Sequence, residues 1–221
     1  MRYCARIYLL FIAGLLLGPR CLPHSPEHAN SQEPLQLGVR FYNNAQISDG
    51  AVRATKKVVA QVLSESGIRL TWTDCNTNPA TSGGVSLPCD ASARATDLVL
   101  YFVGSSDLSR WVDRDTLGYS IILTGNQLST MAYISCPRVA RLSAYTSVDV
   151  PELLGLAVAH EIGHLLLGSH SHASQGIMRA TWKLADIEHR GWELTFTPDQ
   201  SQRLRDAAQA RLRVQTSEIN H

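Results

Sequence analysis

The sequence lacks a marked excess of either charge, because 20 lysines and arginines nearly balance 19 aspartates and glutamates and leave a net charge of +1. No block of like charges is present, so nucleic acid is not expected as a partner. The longest apolar run, residues 7–18, is shorter than the roughly 20 residues that cross a bilayer, so no stable membrane span is expected. Internal repeats are also missing. The 221 residues, 44% of them hydrophobic, suffice for one globular domain with a sizeable core, which we expect to be monomeric.

The amino-terminal segment has the composition of a secretory signal peptide. Two arginines precede the apolar run and small or turn-forming residues follow it, which predicts a signal peptide over residues 1–20. Residues 21–34 contain three prolines and are typical of a linker. Cys21 suggests a lipid anchor, but Arg20 does not fit a lipid-attachment sequence, so lipidation and an uncleaved membrane anchor are weaker alternatives. We therefore expect a secreted or periplasmic protein.

Alternation of apolar and polar residues predicts strands at residues 35–42 and 68–73, with a helix between them. Ser48 or Asp49 would cap this helix and Gly67 would close it. Strand, helix and strand with short connections predict a parallel pair with a right-handed crossover. Three further strands are predicted at 97–103, 118–123 and 131–136.

The long segment between the second and third strands holds two of the five cysteines. Cys75 and Cys89 would close a loop of fifteen residues that includes both cysteines, and in a secreted chain we expect them to form a disulfide, with two free thiols as the alternative. Cys4 would leave with the signal peptide. Cys136 then has no assigned partner unless it pairs with Cys21, and it is interpreted as a buried thiol at a strand end.

The most distinctive segment is a His-Glu-x-x-His pattern that begins at His160. On a helix, His160 and His164 lie one turn apart on the same face, where two imidazoles can bind one zinc ion. Glu161 lies beside them and can act as a general base. The surrounding run is apolar nearly all round, which predicts a buried helix; Asp149 fits its N-terminal cap and Gly168 fits the left-handed position that ends it.

This segment resembles the zinc-binding helix of the metzincin metalloproteases, whose pattern is His-Glu-x-x-His-x-x-Gly-x-x-His followed by a Met-turn. His170 matches the last histidine, but Leu167 occupies the place of the glycine and Gly168 comes one residue late. The segment also resembles uncharacterised secreted bacterial members with a displaced glycine. One additional helical residue rotates the exit of the chain by about 100°. The third zinc ligand implied by the resemblance is therefore His172, with His170 as the alternative.

The resemblance also implies a fold. In Gly176-Ile177-Met178, a tight turn would place Met178 beneath the metal. The implied fold is α+β: a mixed, twisted, five-stranded sheet with one crossover helix and a buried zinc helix, followed by a small C-terminal part with the Met-turn and a terminal helix. Residues 35–168 and 169–213 would be the N-terminal and C-terminal subdomains of a single catalytic domain, and residues 214–221 a polar tail.

The terminal helix is also predicted from its own residues. Thr197 fits the N-cap, Pro198 the first helical position, and Gln200 the third position of a capping box. The resemblance further implies that the fourth strand, residues 118–123, is an antiparallel edge strand that lines the cleft. A peptide or protein substrate would bind there as an added strand.

These features predict a secreted zinc-dependent metalloendopeptidase. Zinc would acidify a bound water and polarise the peptide carbonyl, while Glu161 would take the proton of the water and return it to the leaving amine. Two alternatives stay open. A non-catalytic zinc-binding envelope or adhesion module on a peptidase scaffold would use His170 and His172 together, and a gluzincin-type peptidase would use Glu188 as the third ligand.

Overall fold

The computed structural model describes residues 33–75, 89, 91–104, 116–123, 128–168, 171–188 and 194–219. The described strands are β1 (Leu35–Asn43), β2 (Ile68–Asp74), β3 (Asp97–Val103), β4 (Gly118–Ser120) and β5 (Met131–Ser135). They form one sheet in the order β2-β1-β3-β5-β4. Four strands are parallel, and β4 pairs antiparallel with β5 at the edge. The mixed five-stranded sheet and its antiparallel fourth strand confirm the predicted fold class.

The described helices are α1 (Asp49–Ser64), α2 (Cys136–Ser143), α3 (Val150–Leu167), α4 (Leu184–Glu188) and α5 (Pro198–Ile219). Helix α1 connects the parallel strands β1 and β2 and packs against α3. Alternate residues of β1 and β3 are almost completely buried in this core: Leu37, Val39, Phe41, Leu98, Leu100 and Phe102. The crossover predicted from the first two strands is therefore present, with α3 as the neighbour of its helix.

Helix α3 is the core helix of the domain. Its length and composition would allow it to cross a membrane, but 67% of the residues in that stretch are buried inside the protein. Asp149 caps its N-terminus by accepting a hydrogen bond from the N–H of Glu152 at 2.8 Å. The continuous apolar sequence is therefore explained by burial on several sides within the domain.

The C-terminal end of α3 differs in one respect from the prediction. Gly168 has the expected positive φ of 83°, but its ψ of −170° is extended rather than left-handed helical. Essentially only glycine adopts this combination, because a Cβ would collide with the local backbone. The amide of Gly168 still donates to the carbonyl of His164 at 2.9 Å, so the helix ends at Leu167 and the chain leaves it extended.

Several element boundaries differ from the sequence predictions. Strand β5 ends at Ser135 rather than residue 136, because Cys136 is the first residue of the eight-residue helix α2; residues 184–188 form the short helix α4. Strand β4 ends at Ser120 rather than residue 123, because the N–H of Leu123 donates to the Ser129 hydroxyl instead of a strand carbonyl. Helix α5 continues to Ile219, so residues 214–219 are helical rather than a separate tail.

The capping box of α5 has the predicted geometry. The N–H of Gln200 donates to the Thr197 hydroxyl at 3.3 Å, and the N–H of Thr197 donates to the Gln200 side chain at 3.0 Å. The predicted disulfide between Cys75 and Cys89 is also present. Cys136 is a buried free thiol, and burial raises its pKa to about 12. Cys4 and Cys21, the predicted signal peptide and most of the predicted linker lie outside the described residues.

Candidate metal centre

Helix α3 presents His160, Glu161 and His164 to one cavity of about 870 Å³. The cavity is also lined by the edge strand β4, by residues of α2 and by residues 179–182. Glu161 is only 5% exposed, whereas the two histidines are half-buried. The one-turn spacing read from the sequence therefore places both imidazoles and the carboxylate at the wall of the same cavity.

Three histidines come together at this wall. The Nε2 atom of His164 lies 3.0 Å from Nε2 of His160 and 3.1 Å from Nε2 of His172. Among the described residues, these three side chains form a group able to hold a metal ion, with ligand atoms within 4.8 Å of one another. His170, the alternative third histidine, lies outside the described residues. Glu188, the gluzincin-type alternative, is exposed at the end of α4 and is not part of the group.

The main chain of the predicted Met-turn fixes the orientation of His160. Its Nδ1 lies 2.7 Å from the carbonyl oxygen of Ile177, which can only accept a hydrogen bond. Nδ1 therefore carries the proton, and the lone pair of Nε2 is directed to the cluster. Trp182 donates its indole N–H to the same carbonyl at 2.9 Å and packs edge-on against the imidazole.

His164 has its own outer partner. The Ser171 hydroxyl, which belongs to a 5% exposed residue, lies 2.8 Å from Nδ1 of His164. Metal-binding histidines usually hydrogen-bond through their second ring nitrogen in this manner, because the bond fixes both tautomer and ring orientation. Both helix histidines therefore have the support that a metal ligand requires.

The cluster fits a metal ion in charge and geometry. Burial, together with the neighbouring histidines, lowers the pKa of His160 and of His164 to about 4, so both imidazoles are neutral at pH 7. A neutral imidazole has one N–H, so His164 can donate through Nε2 to only one of its two close neighbours at a time. A metal cation, in contrast, can accept the Nε2 lone pairs of all three histidines at the same time. Nitrogen ligands of tetrahedral zinc lie about 3.3 Å apart, close to the separations found here.

Glu161 is held on the other side by the edge strand. Ser120 of β4 lies with its hydroxyl oxygen 2.7 Å from Oε2 of Glu161 and 3.0 Å from the Glu161 carbonyl oxygen. Burial raises the pKa of Glu161 to about 7, and the hydrogen bond from Ser120 opposes that rise. A carboxylate with a pKa near neutrality suits general-base chemistry.

The predicted Met-turn packs against α3. Gly176 begins a turn that is closed by a hydrogen bond from the N–H of Arg179 to the Gly176 carbonyl at 3.3 Å. Met178 is completely buried, and its sulfur packs against Gly163, between the two helix histidines in the sequence. Met178 therefore packs against α3 at the turn that carries both histidines, and it does not line the cavity.

Sequence reasoning named the residues of the cluster but not their partners. Ser120 lies 41 positions before Glu161, and Ser171 and Trp182 belong to segments without regular periodicity. A serine gives no local signal that distinguishes such a contact from an exposed hydroxyl. Only the antiparallel edge strand, expected from the family resemblance, pointed to the strand on which Ser120 lies.

The chain is similar to two solved structures. The chain is similar to archaemetzincin from Methanopyrus kandleri, with a TM-score of 0.50, 12% identity, and coverage of 79% of this chain and 96% of that one. It is also similar to metalloproteinase-II from Bacteroides fragilis, with a TM-score of 0.47, 16% identity, and coverage of 81% and 55% respectively.

No model of a known protein family matches the sequence, and no curated protein matches it. At 12% identity, the similarity to archaemetzincin extends to the fold alone. The chain is therefore an α+β protein with a fold similar to that of archaemetzincin and a three-histidine cluster in its cavity wall. The chemistry of the cluster has to be argued from its residues.

Proposed function

We propose that the protein is a zinc-dependent metallopeptidase in which His160, His164 and His172 bind the metal. The observation that carries this proposal is the convergence of three imidazole nitrogens and one buried carboxylate on a single cavity. Three histidines leave a zinc ion one position for water or substrate, which distinguishes catalytic from structural zinc sites. When bound, zinc supplies a Lewis acid that lowers the pKa of water and polarises a carbonyl oxygen.

Glu161 is the proposed general base. Its carboxylate accepts a proton from the attacking water and then donates it to the leaving amine, so that the same group serves as base and acid. The raised pKa of about 7 favours both steps, because the carboxylate is basic enough to take the proton and its conjugate acid is acidic enough to release it. A purely structural zinc site would not require this carboxylate.

The proposed substrate is an extended peptide that binds along β4, which makes the enzyme an endopeptidase. The carbonyl of Leu117 accepts from Ser135, and the N–H of Ile121 donates to Met131, so these residues face β5. Hydrogen-bonding directions alternate along an antiparallel strand. The main-chain groups of Gly118 and Ser120 consequently point to the open edge, the side of β4 on which the described residues include no further strand, and a peptide can add there as a strand.

Secretion is part of the proposal. The disulfide between Cys75 and Cys89 is consistent with an oxidising compartment outside the cytoplasm. The basic start and the apolar run at residues 7–18 supply the export signal. Mass spectrometry of protein exported by its host would test this step: a mature chain that begins near residue 21 supports it, and full-length intracellular protein contradicts it.

Metal analysis combined with an activity screen tests the function. We expect about one zinc per chain and hydrolysis of casein or a peptide library, with activity lost on chelation and restored by zinc. One bound zinc without hydrolysis of any substrate would favour the non-catalytic envelope or adhesion module. Hydrolysis that survives complete zinc removal would overturn the proposal.

A further inference from the structure

The hydroxyl of Ser120 lies between two acceptors of one residue. It is 2.7 Å from the carboxylate oxygen Oε2 of Glu161 and 3.0 Å from the carbonyl oxygen of the same residue. Both oxygens accept hydrogen bonds, so the single hydroxyl proton is shared between them, with the shorter contact to the carboxylate. Because Glu161 is 5% exposed, few water molecules can replace this donor.

The edge strand approaches Glu161 unusually closely at this point. A Cβ atom on Gly118 would lie 3.0 Å from Cγ of Glu161 and 2.8 Å from both Cδ1 of Ile134 and the carbonyl oxygen of Tyr133. Only glycine leaves the space for this approach. Residues two apart in a strand point to the same face, so Gly118 and Ser120 share one face of β4. This face contacts α3 at Glu161.

The same two residues face the open edge with their main-chain groups. Their N–H and C=O groups are those that an added peptide strand would engage, while the Ser120 side chain holds the carboxylate of Glu161. The strand that would bind the peptide therefore also fixes the group that would take a proton from water.

We propose that Ser120 is a positioning residue that holds the Glu161 carboxylate in the orientation required for proton transfer. This inference rests on the proposed function, in which Glu161 is the base. Ser120 engages Oε2 and leaves Oε1 as the oxygen to meet the water. Without the hydroxyl, the carboxylate loses a fixed contact and rotates among several conformations, which lowers the rate of proton transfer.

Kinetics of Ser120→Ala provide the first arm of the test. We expect kcat to fall about 10- to 100-fold, the effect typical of losing a hydrogen bond to a charged group, while KM changes less than about threefold. Zinc content should equal that of the wild type. Ser66→Ala is the matched control, because it removes a buried serine hydroxyl that lies 2.8 Å from Ser201, away from the cavity, and should leave kcat unchanged.

A double-mutant cycle separates action through Glu161 from a general disturbance of the site. In a Glu161→Asp background, where the shortened carboxylate no longer reaches its usual place, Ser120→Ala should reduce kcat by less than about threefold. An equal reduction in both backgrounds, or a wild-type kcat in the single variant Ser120→Ala, would overturn the positioning role.

Crystal structures of the zinc-loaded wild type and of Ser120→Ala supply a readout that does not depend on activity. The carboxylate of Glu161 should move by about 1 Å or more, or occupy several rotamers, in the variant only. An unchanged, fully ordered carboxylate in the variant contradicts the inference. If the wild type were inactive, the proposed function would be wrong. The comparison of the two crystal structures would still decide whether Ser120 holds the Glu161 carboxylate.

Discussion

Glu161 and the three histidines face one cavity, but different parts of the chain hold them. The carboxylate of Glu161 contacts Ser120 on the edge strand of the sheet. The histidines are supported from the C-terminal part, where Ser171 contacts His164 and the carbonyl of Ile177 accepts from His160. The regular N-terminal part thus contacts the proposed base, and the irregular C-terminal part contacts two of the proposed metal ligands.

If the proposed function holds, this division predicts that metal affinity and catalysis depend on separate contacts. A change on the C-terminal side should first reduce zinc affinity, because it alters the tautomer or the orientation of a ligand. A change on the edge strand should leave zinc bound and reduce turnover, because it alters only the base.

The largest effect is expected for the third histidine. His172→Ala should reduce zinc affinity by more than about 100-fold, since it removes a ligand rather than an outer partner of one. Competition with a chromophoric chelator measures the affinity. His170→Ala is the matched control, and it should bind zinc within about threefold of the wild type. Unchanged affinity in His172→Ala, with loss in His170→Ala, would show that the ordinary metzincin spacing applies despite the late glycine.

A smaller effect is expected where the two parts are joined. Arg211 of α5 is 2% exposed and donates to the carbonyls of Ala95, Ser129 and Leu165, the last in α3. Arg211→Met should lower the free energy of unfolding by about 2 kcal/mol, because buried carbonyls lose their donors.

Denaturant unfolding measures the effect of Arg211→Met. An unchanged m-value would show that the variant alters stability and not the compactness of the unfolded chain. Arg213, an exposed residue of the same helix, provides the control, and Arg213→Met should change the stability by less than about 0.5 kcal/mol. Equal stability of the two variants would show that the hydrogen bonds of Arg211 to the carbonyls of Ala95, Ser129 and Leu165 do not stabilise the fold.

The smallest effect is expected at the outer partner of His164. Ser171→Ala should lower zinc affinity about tenfold, at the low end for loss of a partner that orients a metal ligand. Ser120→Ala, the corresponding change on the edge-strand side, should keep zinc affinity within about threefold of the wild type. If the two variants lose zinc equally, the base and the ligands are not held separately.

The sequence was informative where local rules decide the structure. The caps at Ser48, Asp149 and Thr197 involve atoms within a few residues of each other, and all three lie at the expected helix starts. Strand β3 has the predicted bounds, because its apolar run is long and continuous. The one-turn spacing of His160 and His164 likewise determines that they face one cavity.

The remaining features depend on contacts between distant residues. The contact of Ser120 with Glu161 spans 41 positions, and that of Arg211 with Ala95 spans 116. For neither Ser120 nor Arg211 does the surrounding sequence pattern indicate the partner. The extended ψ of Gly168 was missed for a related reason: the sequence indicates that glycine allows a positive φ, but not which of its two positive-φ conformations the rest of the chain selects.

The central claim, that Glu161 is the base of a zinc peptidase, is tested most directly by Glu161→Gln. This change removes the base and no proposed ligand, and the amide fills nearly the same volume. We expect the purified variant to retain about one zinc per chain and to lose hydrolysis of a peptide substrate by at least about 100-fold, within the range for general-base catalysis. Activity within tenfold of the wild type, at full zinc content, would contradict the account.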